Sequence, residues 1–366
     1  MNIIVNAVLA YEQPRGVGRY INDLLPALAE CDKENDYYIY YGKWMKKYSF
    51  INIKQENFHF IELDIKNNRI TRNVYLSVIL PIKCKKYNPD ILFLVDTQAI
   101  FVKPCKIVST IHDLAEYETK EKYSKIHAFI RRNITRHQVN ISNQIITDST
   151  YSQNDICRIF KKSKNEVHVI YLATNMKKEI EEANTKNYFL FVGEIERAKN
   201  LNALIDAYSM LSSDKKKMYS IKVIGKKGND YDYICKKIKE NNIEDNVEFY
   251  GYVSDDELNN LYREAYAFVF PSFFEGFGLP VLEAMAKGLP VLCSNSSSIP
   301  EVGGEAVLTF SPDNPAELAD KINLITDNRK LRDDMCIKSI KRAKEFTYEK
   351  TALETLDVFY KVGSKI

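Results

Sequence analysis

Short apolar runs alternate along this chain with stretches in which apolar residues recur at helical spacing. In the first half the runs are Ile3–Val8, Tyr37–Tyr41, Phe58–Leu63, Ile91–Val95, Ile107–Ile111, Gln144–Thr147 and Val167–Tyr171. In the second half they are Tyr188–Val192, Ile221–Ile224, Val247–Tyr250, Ala267–Phe270, Val291–Cys293 and Ala306–Phe310. Many are continuously apolar, as parallel strands covered on both faces should be. The helical stretches between them have the length of right-handed β-α-β crossovers. Ala173–Asn187, rich in Lys, Glu and Asn, separates the two series and reads as a linker. The pattern predicts an α/β chain of two doubly wound domains joined near residue 180. Pro315–Asp327 and Arg329–Glu345 read as helices, and Phe346–Glu349 breaks the pattern. A last helix, Glu349–Val362, resumes it, with Thr347 as its N-cap.

Composition narrows the class. A length of 366 residues favours two domains over one, and 45% hydrophobic with 28% charged residues excludes a wholly disordered chain. No apolar run approaches the roughly 18–20 residues of a membrane-spanning helix; Tyr75–Ile82 and Ala265–Phe274 are short and contain Pro. The opening Met1-Asn2-Ile3-Ile4-Val5 reads as a first strand, not a signal peptide. The seven cysteines are widely spaced with no Cys-x-x-Cys, and His59, His112, His127, His137 and His168 have no metal-ligand spacing. A zinc site or disulfide framework is not expected, and a reducing cytoplasm fits. Residues 1–172 hold 25 Lys+Arg against 18 Asp+Glu, and residues 173–366 hold 27 against 31. A basic first half beside an acidic second half suggests different partners, but the overall charge of +3 is too mild to argue for nucleic acid.

In open α/β sheets, ligands sit beyond the carboxyl ends of the strands, so polar residues just after strands are the ones to inspect. Gln13-Pro14-Arg15-Gly16-Val17-Gly18-Arg19-Tyr20 leads into an amphipathic helix, Tyr20–Glu30. Its two glycines would let backbone approach a phosphate at a helix start, or simply form a flexible turn; the third glycine of a dinucleotide fingerprint is missing. His112-Asp113 ends the strand Ile107–Ile111, where His112 is either a group facing a ligand or a satisfied structural histidine. Asp148 or Ser149 reads mainly as a helix cap. Gly193 to Leu201 brings Arg197 and Lys199 to a helix entrance, as phosphate-binding cations or as a solvated helix start. Asp230-Tyr231-Asp232 reads as a turn or helix cap, not a metal motif.

The string Pro271-Ser272-Phe273-Phe274-Glu275-Gly276-Phe277-Gly278-Leu279-Pro280-Val281-Leu282-Glu283 carries the most information. It predicts a strand, a glycine loop and a helix over Pro280–Lys287 that Gly288 ends. A loop of this kind cradles an anion with backbone N–H groups. Two carboxylates, Glu275 and Glu283, straddling that cradle make sense if the ligand also carries vicinal hydroxyls. A nucleoside diphosphate sugar has phosphates, a ribose diol and a sugar ring.

Glu275-x7-Glu283 in this setting resembles the signature of the family-4 glycosyltransferases, which have the GT-B fold. Ser297-Ser298-Ile299-Pro300-Glu301-Val302, Gly16-Val17-Gly18-Arg19-Tyr20, Thr110-Ile111-His112-Asp113-Leu114 and Lys199-Asn200-Leu201 resemble the family in its own order. The glycine-arginine-tyrosine version is similar to bacterial mannosyl- and rhamnosyltransferases of surface polysaccharide synthesis. The resemblance implies two Rossmann-like domains facing a central cleft. An acceptor-binding domain would span 1–175 and a donor-binding domain 176–348, with the terminal helix 349–366 crossing back onto the first. Glu283 would hold the ribose. Glu275, with N–H groups near Gly276, Phe277 and Gly278, would hold the donor sugar. Leu279 would give an N–H to the diphosphate, Lys199 would pair with it, and Gly16 and Gly18 would close on it. His112 would meet the sugar near the reacting carbon, and Val253, beside Tyr252, would line the base pocket.

Such enzymes retain anomeric configuration and need no metal or other cofactor. The implied reaction moves a hexose, with mannose the best guess, from a nucleotide-diphosphate sugar such as GDP-mannose. The acceptor would be a glycan or a lipid-pyrophosphate-linked oligosaccharide of O-antigen, capsule or exopolysaccharide synthesis. Many relatives carry Arg where this chain has Glu194 and Ala198, so Arg197 or Lys199 is expected to supply the charge. Lys120, Lys122, Lys125, Arg131, Arg132 and Arg136 border Tyr123, Ile126, Phe129 and Ile130. This is a pattern suited either to peripheral contact with the cytoplasmic face of the inner membrane or to a solvated helix packed on its sheet. A sugar-nucleotide hydrolase, phosphorylase or epimerase of GT-B type, or an inactive sugar-nucleotide-binding subunit, is the competing reading.

Overall fold

The computed structural model describes residues 1–14, 16–119, 125–176 and 185–363. Arg15, Lys120, Lys122 and Tyr123, and residues 177–184 of the expected linker, lie outside them. The chain divides into two units. The first comprises Met1–Tyr117, Ser124–Leu172 and Thr347–Ile366, and Ala173–Phe346 forms most of the second.

The first unit is built on seven parallel strands: β1 (Asn2–Asn6), β2 (Asp36–Gly42), β3 (Phe58–Leu63), β4 (Ile91–Leu94), β5 (Lys106–Thr110), β6 (Gln144–Thr147) and β7 (Val167–Val169). Their order is β3-β2-β1-β4-β5-β6-β7. β4, Ile-Leu-Phe-Leu, is buried throughout, as a central strand with helices on both faces must be. The helices Val17–Cys31 and Tyr348–Gly363 pack together on one face, where Phe93 meets Phe359 edge-on at 5.1 Å between ring centroids. Ala352, Leu356, Phe359 and Val362 join the same core as Ile3, Val5 and Leu24. Thr347 caps this last helix, its hydroxyl accepting from the Lys350 N–H at 3.2 Å.

The second unit has six parallel strands: β8 (Tyr188–Val192), β9 (Ser220–Ile224), β10 (Val247–Gly251), β11 (Ala267–Phe270), β12 (Val291–Ser294) and β13 (Val307–Phe310). Their order is β10-β9-β8-β11-β12-β13. β11 and β12 are buried along their whole length. The helices Pro315–Asp327 and Arg329–Ala343 follow β13.

In both units the chain starts in the middle of the sheet, winds to one edge, then returns to the other side of its first strand. The reversal falls between β1 and β4 in the first unit and between β8 and β11 in the second. In sheets of this topology the reversal is where ligand-binding crevices form, at the carboxyl ends of the strands.

Candidate active site

The second unit collects its candidate groups at the β8/β11 reversal. β8 runs into the loop Gly193–Asn200, and β11 into the loop Pro271–Gly278. The two loops are laced together. The Phe273 N–H donates to the Ala198 carbonyl at 2.9 Å. Asn200 Nδ2 donates to the carbonyls of Pro271 (3.1 Å) and Pro312 (2.9 Å). Asn200 is buried and has φ +53°, a left-handed conformation that Asn tolerates better than most residues. Its amide thus fixes the turn between the short 3-10 segment Arg197–Lys199 and the helix Leu201–Ser209.

Lys199 reaches Glu275 across this lacing, with Nζ to Oε1 at 2.7 Å. The two side chains are 22% and 14% exposed, a pair at the rim of the sheet and not in its core. Phe270 lies under the ammonium, 5.7 Å from nitrogen to ring centroid. Arg197 is exposed, and its backbone N–H donates to Asn229 Oδ1 at 3.2 Å. Of the two cations expected to supply the charge, Lys199 is the one brought to Glu275.

The helix after the glycine loop is Leu279–Ala286, so Pro280 stands in its second position, one later than expected. Gly278 caps it with φ +100°, a conformation for which glycine is required. Gly278 gives the helix start no side-chain cap, and Gly276, Phe277 and Gly278 itself are buried. At the other end Gly288 (φ +66°) donates to Met285 and Leu289 donates to Ala284, which closes the helix. Glu283 projects from this helix into a buried position, where its Oε2 accepts from the Tyr262 hydroxyl at 3.2 Å. Val253, just past β10, is buried, and Tyr252 beside it is exposed.

Groups without an assigned role in the sequence reading complete this site. At the end of β12, Ser294 Oγ donates to the Ser272 carbonyl at 2.6 Å. Ser297 Oγ accepts from the Glu275 N–H at 2.9 Å, and Ser298 Oγ lies 2.9 Å from the Glu275 carbonyl and 3.0 Å from that of Phe277. The loop after β9 is pressed against the Gly193 loop so closely that a Cβ on Gly225 would fall 1.8 Å from the Gly193 carbonyl oxygen. Asp230 is the cap residue of the helix Tyr231–Glu240.

The first unit gathers polar groups at its own strand ends. His112 Nδ1 faces Asp148 Oδ2 at 2.7 Å, and Nε2 faces the Val95 carbonyl at 3.1 Å. Both partners are acceptors, so the doubly protonated ring satisfies both. Burial pulls the His112 pKa down, but Asp148, then Asp96 and the Val95 carbonyl, outweigh it and raise the value to about 9. Burial pushes Asp148 above the usual carboxylate range despite His112. Both ring nitrogens are thus engaged within the first unit, with the side chain 17% exposed. Ser149, not Asp148, caps the following helix, accepting from the Ser152 N–H at 3.1 Å.

The helix after the first glycines begins at Val17, three residues earlier than expected, with Gly16 (φ +49°) as its cap. A Cβ on Gly16 would meet nothing within 4 Å, whereas one on Gly18 would lie 2.7 Å from the Tyr48 hydroxyl. The close approach at Gly18 is therefore filled by the protein itself. On the helix Lys125–Ile141, Ile126 and Phe129 are 73% and 69% exposed. They do not pack on the sheet as an ordinary solvated helix would place its apolar face.

Residues 14–178 match the family described as Glycosyltransferase Family 4, and residues 173–342 match Glycosyl transferases group 1. Together the two models span residues 14–342, and the chain is a glycosyltransferase of these families. Its two parallel-sheet units have the GT-B architecture. The glycosyltransferase is 28% identical over 266 residues to the O-antigen chain mannosyltransferase B of Escherichia coli, spanning 69% of this chain and 70% of that one. It is also 28% identical over 204 residues to the O-antigen chain mannosyltransferase RfbU of Salmonella typhimurium, where the match covers only 56% of each chain. It shares its fold with a sucrose-phosphate synthase from Thermosynechococcus elongatus (TM-score 0.76, 18% identity, 99% of each chain). HepE of Anabaena in complex with UDP-glucose has the same fold (TM-score 0.73, 15% identity, 99% of this chain and all of that one). Among the described residues no helix of the glycosyltransferase is long and apolar enough to cross a membrane.

Proposed function

We propose that this glycosyltransferase moves a hexose, mannose in the first place, from a nucleotide-diphosphate sugar to a glycan or lipid-linked acceptor with retention, as a step of O-antigen, capsule or exopolysaccharide assembly. The observation that carries the reading is the Lys199–Glu275 pair at the loop that leads through Gly278 into the helix Leu279–Ala286, with Glu283 buried one turn into that helix. Lys199 and the N–H groups near Phe277, Gly278 and Leu279 suit a diphosphate. Glu275 suits the hydroxyls of the donor sugar, and Glu283 those of the ribose. Val253 suits the edge of the base. As the anomeric bond breaks, negative charge grows on the leaving phosphate oxygen. Fixed N–H dipoles and Lys199 stabilise it without rearranging. These groups carry the charge that a metal would otherwise neutralise, so transfer is expected to survive EDTA.

Mannose and the polysaccharide context are supported by the activities in the names of the two O-antigen relatives. A nucleotide sugar donor is supported by the UDP-glucose bound to HepE. The acceptor is assigned to the first unit. The exposed Ile126 and Phe129 beside Lys125, Arg131 and Arg132 support peripheral contact with a membrane that carries a lipid-linked acceptor.

The test is a thermal-shift screen of GDP, UDP and dTDP sugars, because a ligand of the folded state raises the melting temperature by mass action. Transfer with the donor so found is then followed by the anomeric signals of the product. GDP-mannose stabilisation and an α product from the α donor are expected; rapid donor cleavage without acceptor would favour a hydrolase. Salt-sensitive sedimentation with anionic liposomes checks the membrane contact.

A further inference from the structure

Both main-chain polar groups of Glu275 are held by side chains from the loop that follows β12. Its N–H donates to Ser297 Oγ at 2.9 Å, and its carbonyl faces Ser298 Oγ at 2.9 Å. The Ser297 hydroxyl donates in turn to the Ser296 carbonyl at 2.8 Å, so its donor and its acceptor capacity are both used. Ser298 is fully buried and shares its one proton between the carbonyls of Glu275 and Phe277. Ser297 has φ +51°, a region a serine seldom occupies unless the surroundings hold it there.

Gly276 and Gly278, which flank Phe277, give the backbone of this loop more conformational freedom than other residues would. Without a clamp the Glu275 carboxylate would have Lys199 alone to hold it. Misplacement by about 1 Å in a site that must meet a transition state costs on the order of a hundredfold in rate. We propose that Ser297 and Ser298 are positioning residues for transfer, fixing the Glu275 backbone so that its carboxylate meets the donor sugar. The inference rests on the reading that Glu275 faces that sugar. Ser294 serves as the internal comparison. It is also fully buried and bonds the same turn, but at the Ser272 carbonyl, three residues upstream of Glu275.

The experiment measures steady-state kinetics and melting for Ser297→Gly, Ser298→Ala and Ser294→Ala, each alone and combined with Glu275→Gln. Glycine at 297 takes the left-handed backbone without strain while removing the hydroxymethyl group, so this variant folds even if Ser298→Ala does not. The expected result is a drop in kcat of about 10–100-fold for Ser297→Gly and Ser298→Ala, with donor KM moving less. Melting should fall no further than in Ser294→Ala, whose kcat falls much less. In the Glu275→Gln background the 297 and 298 substitutions should cost less than about threefold, because groups acting through one another are not additive. Wild-type kcat in Ser297→Gly and Ser298→Ala while Glu275→Gln is crippled would overturn the inference and leave the reading of Glu275 intact. Fully multiplicative losses in the double variants would overturn it as well. Wild-type kinetics in Glu275→Gln itself would remove the reading and the inference together.

Discussion

The ends of the two sheets use similar residues for opposite purposes. In the first unit polar side chains answer one another or their own backbone. His112 has both nitrogens engaged, Asn6 Nδ2 meets Gln98 Oε1, and the space beside Gly18 is taken by Tyr48. In the second unit the bonds that hold the loops come from neutral side chains to backbone carbonyls and amides, through Asn200, Ser294, Ser297 and Ser298. The charged residues Lys199 and Glu275 are left at the rim, partly wet and paired with each other. Neutral groups that satisfy the backbone keep the charges available for a ligand. The second unit therefore has the build of a binding site, whereas the first anchors His112, its side chain 17% exposed, on the buried Asp148 and on the Val95 carbonyl.

The sharpest way to break this contrast is to remove the rim charge. Lys199→Ala should lower kcat/KM by about 10²–10³-fold, the usual size of losing one preorganised group aimed at developing charge. It should also abolish the thermal shift given by the donor. A partly exposed ion pair contributes only about 0–1 kcal/mol to folding, so the melting temperature without ligand should barely move. A Lys199→Ala enzyme with normal turnover would show that the rim pair is decoration.

His112 offers the complementary test. Its pKa is raised to about 9 in the folded state, above the ordinary value near 6.5. The folded protein therefore holds this proton more tightly than the unfolded chain. The stability it contributes is complete below pH ~6.5 and is lost as pH climbs through 9. The loss should be of order 1–3 kcal/mol. Denaturant unfolding at pH 6.5 and pH 9.5 measures it, and His112→Asn should flatten the difference. If that variant instead kept its stability and lost only transfer, His112 would belong with Lys199 and Glu275 as a group facing the substrate.

Much of this was legible in the sequence because it is local. Ile91–Leu94 and Ala267–Phe270 are apolar without alternation, which only a strand covered on both faces tolerates. Pro315–Asp327 carries its own start signal and was read to the residue. The first apolar run, Ile3–Val8, forms a strand only to Asn6; Ala7 and Val8 remain buried as core under the loop that follows. Hydrophobicity records burial, and burial continues past the last ladder bond. The glycine loop and its two glutamates stood out because a whole string of unusual residues was contiguous. The lacing did not. Lys199 and Glu275 lie 76 residues apart, and Asn200 meets Pro312 across 112. Such contacts exist only once β8, β11, β12 and β13 have taken their order in the sheet. Gly18 was misleading for the same reason, since nothing near it in sequence announces Tyr48.

Gly18 gives the next effect in size. Alanine there would push a methyl to 2.7 Å from the hydroxyl of Tyr48, a fully buried ring with little room to retreat. Overpacking of this kind typically costs about 1–3 kcal/mol, or several degrees of melting temperature in a unit of this size. Adding Tyr48→Phe should recover part of the loss by removing the crowding oxygen. Donor affinity should follow the folded fraction and nothing more. Weakened donor binding at unchanged melting temperature would mean that this glycine serves a ligand after all.

Arg197 sets the lower end of the scale. It shares a loop with Lys199, and charge counting alone would make the two equivalent. The difference lies in what surrounds them. Lys199 is drawn inward to Glu275 over the Phe270 ring, whereas Arg197 is exposed and its backbone is tied to Asn229 on the β9 side. An exposed cation acts on an anionic ligand through water and is worth about 1 kcal/mol or less, so Arg197→Ala should weaken donor binding by no more than about fivefold. Its contribution should also fade between low and physiological salt, as screening demands, while that of Lys199 persists. Titrating donor into both variants at two ionic strengths separates a charge built into the site from one that merely lies near it. Equal, salt-resistant losses at 197 and 199 would show that the donor reaches further toward β9 than the Lys199–Glu275 pair marks.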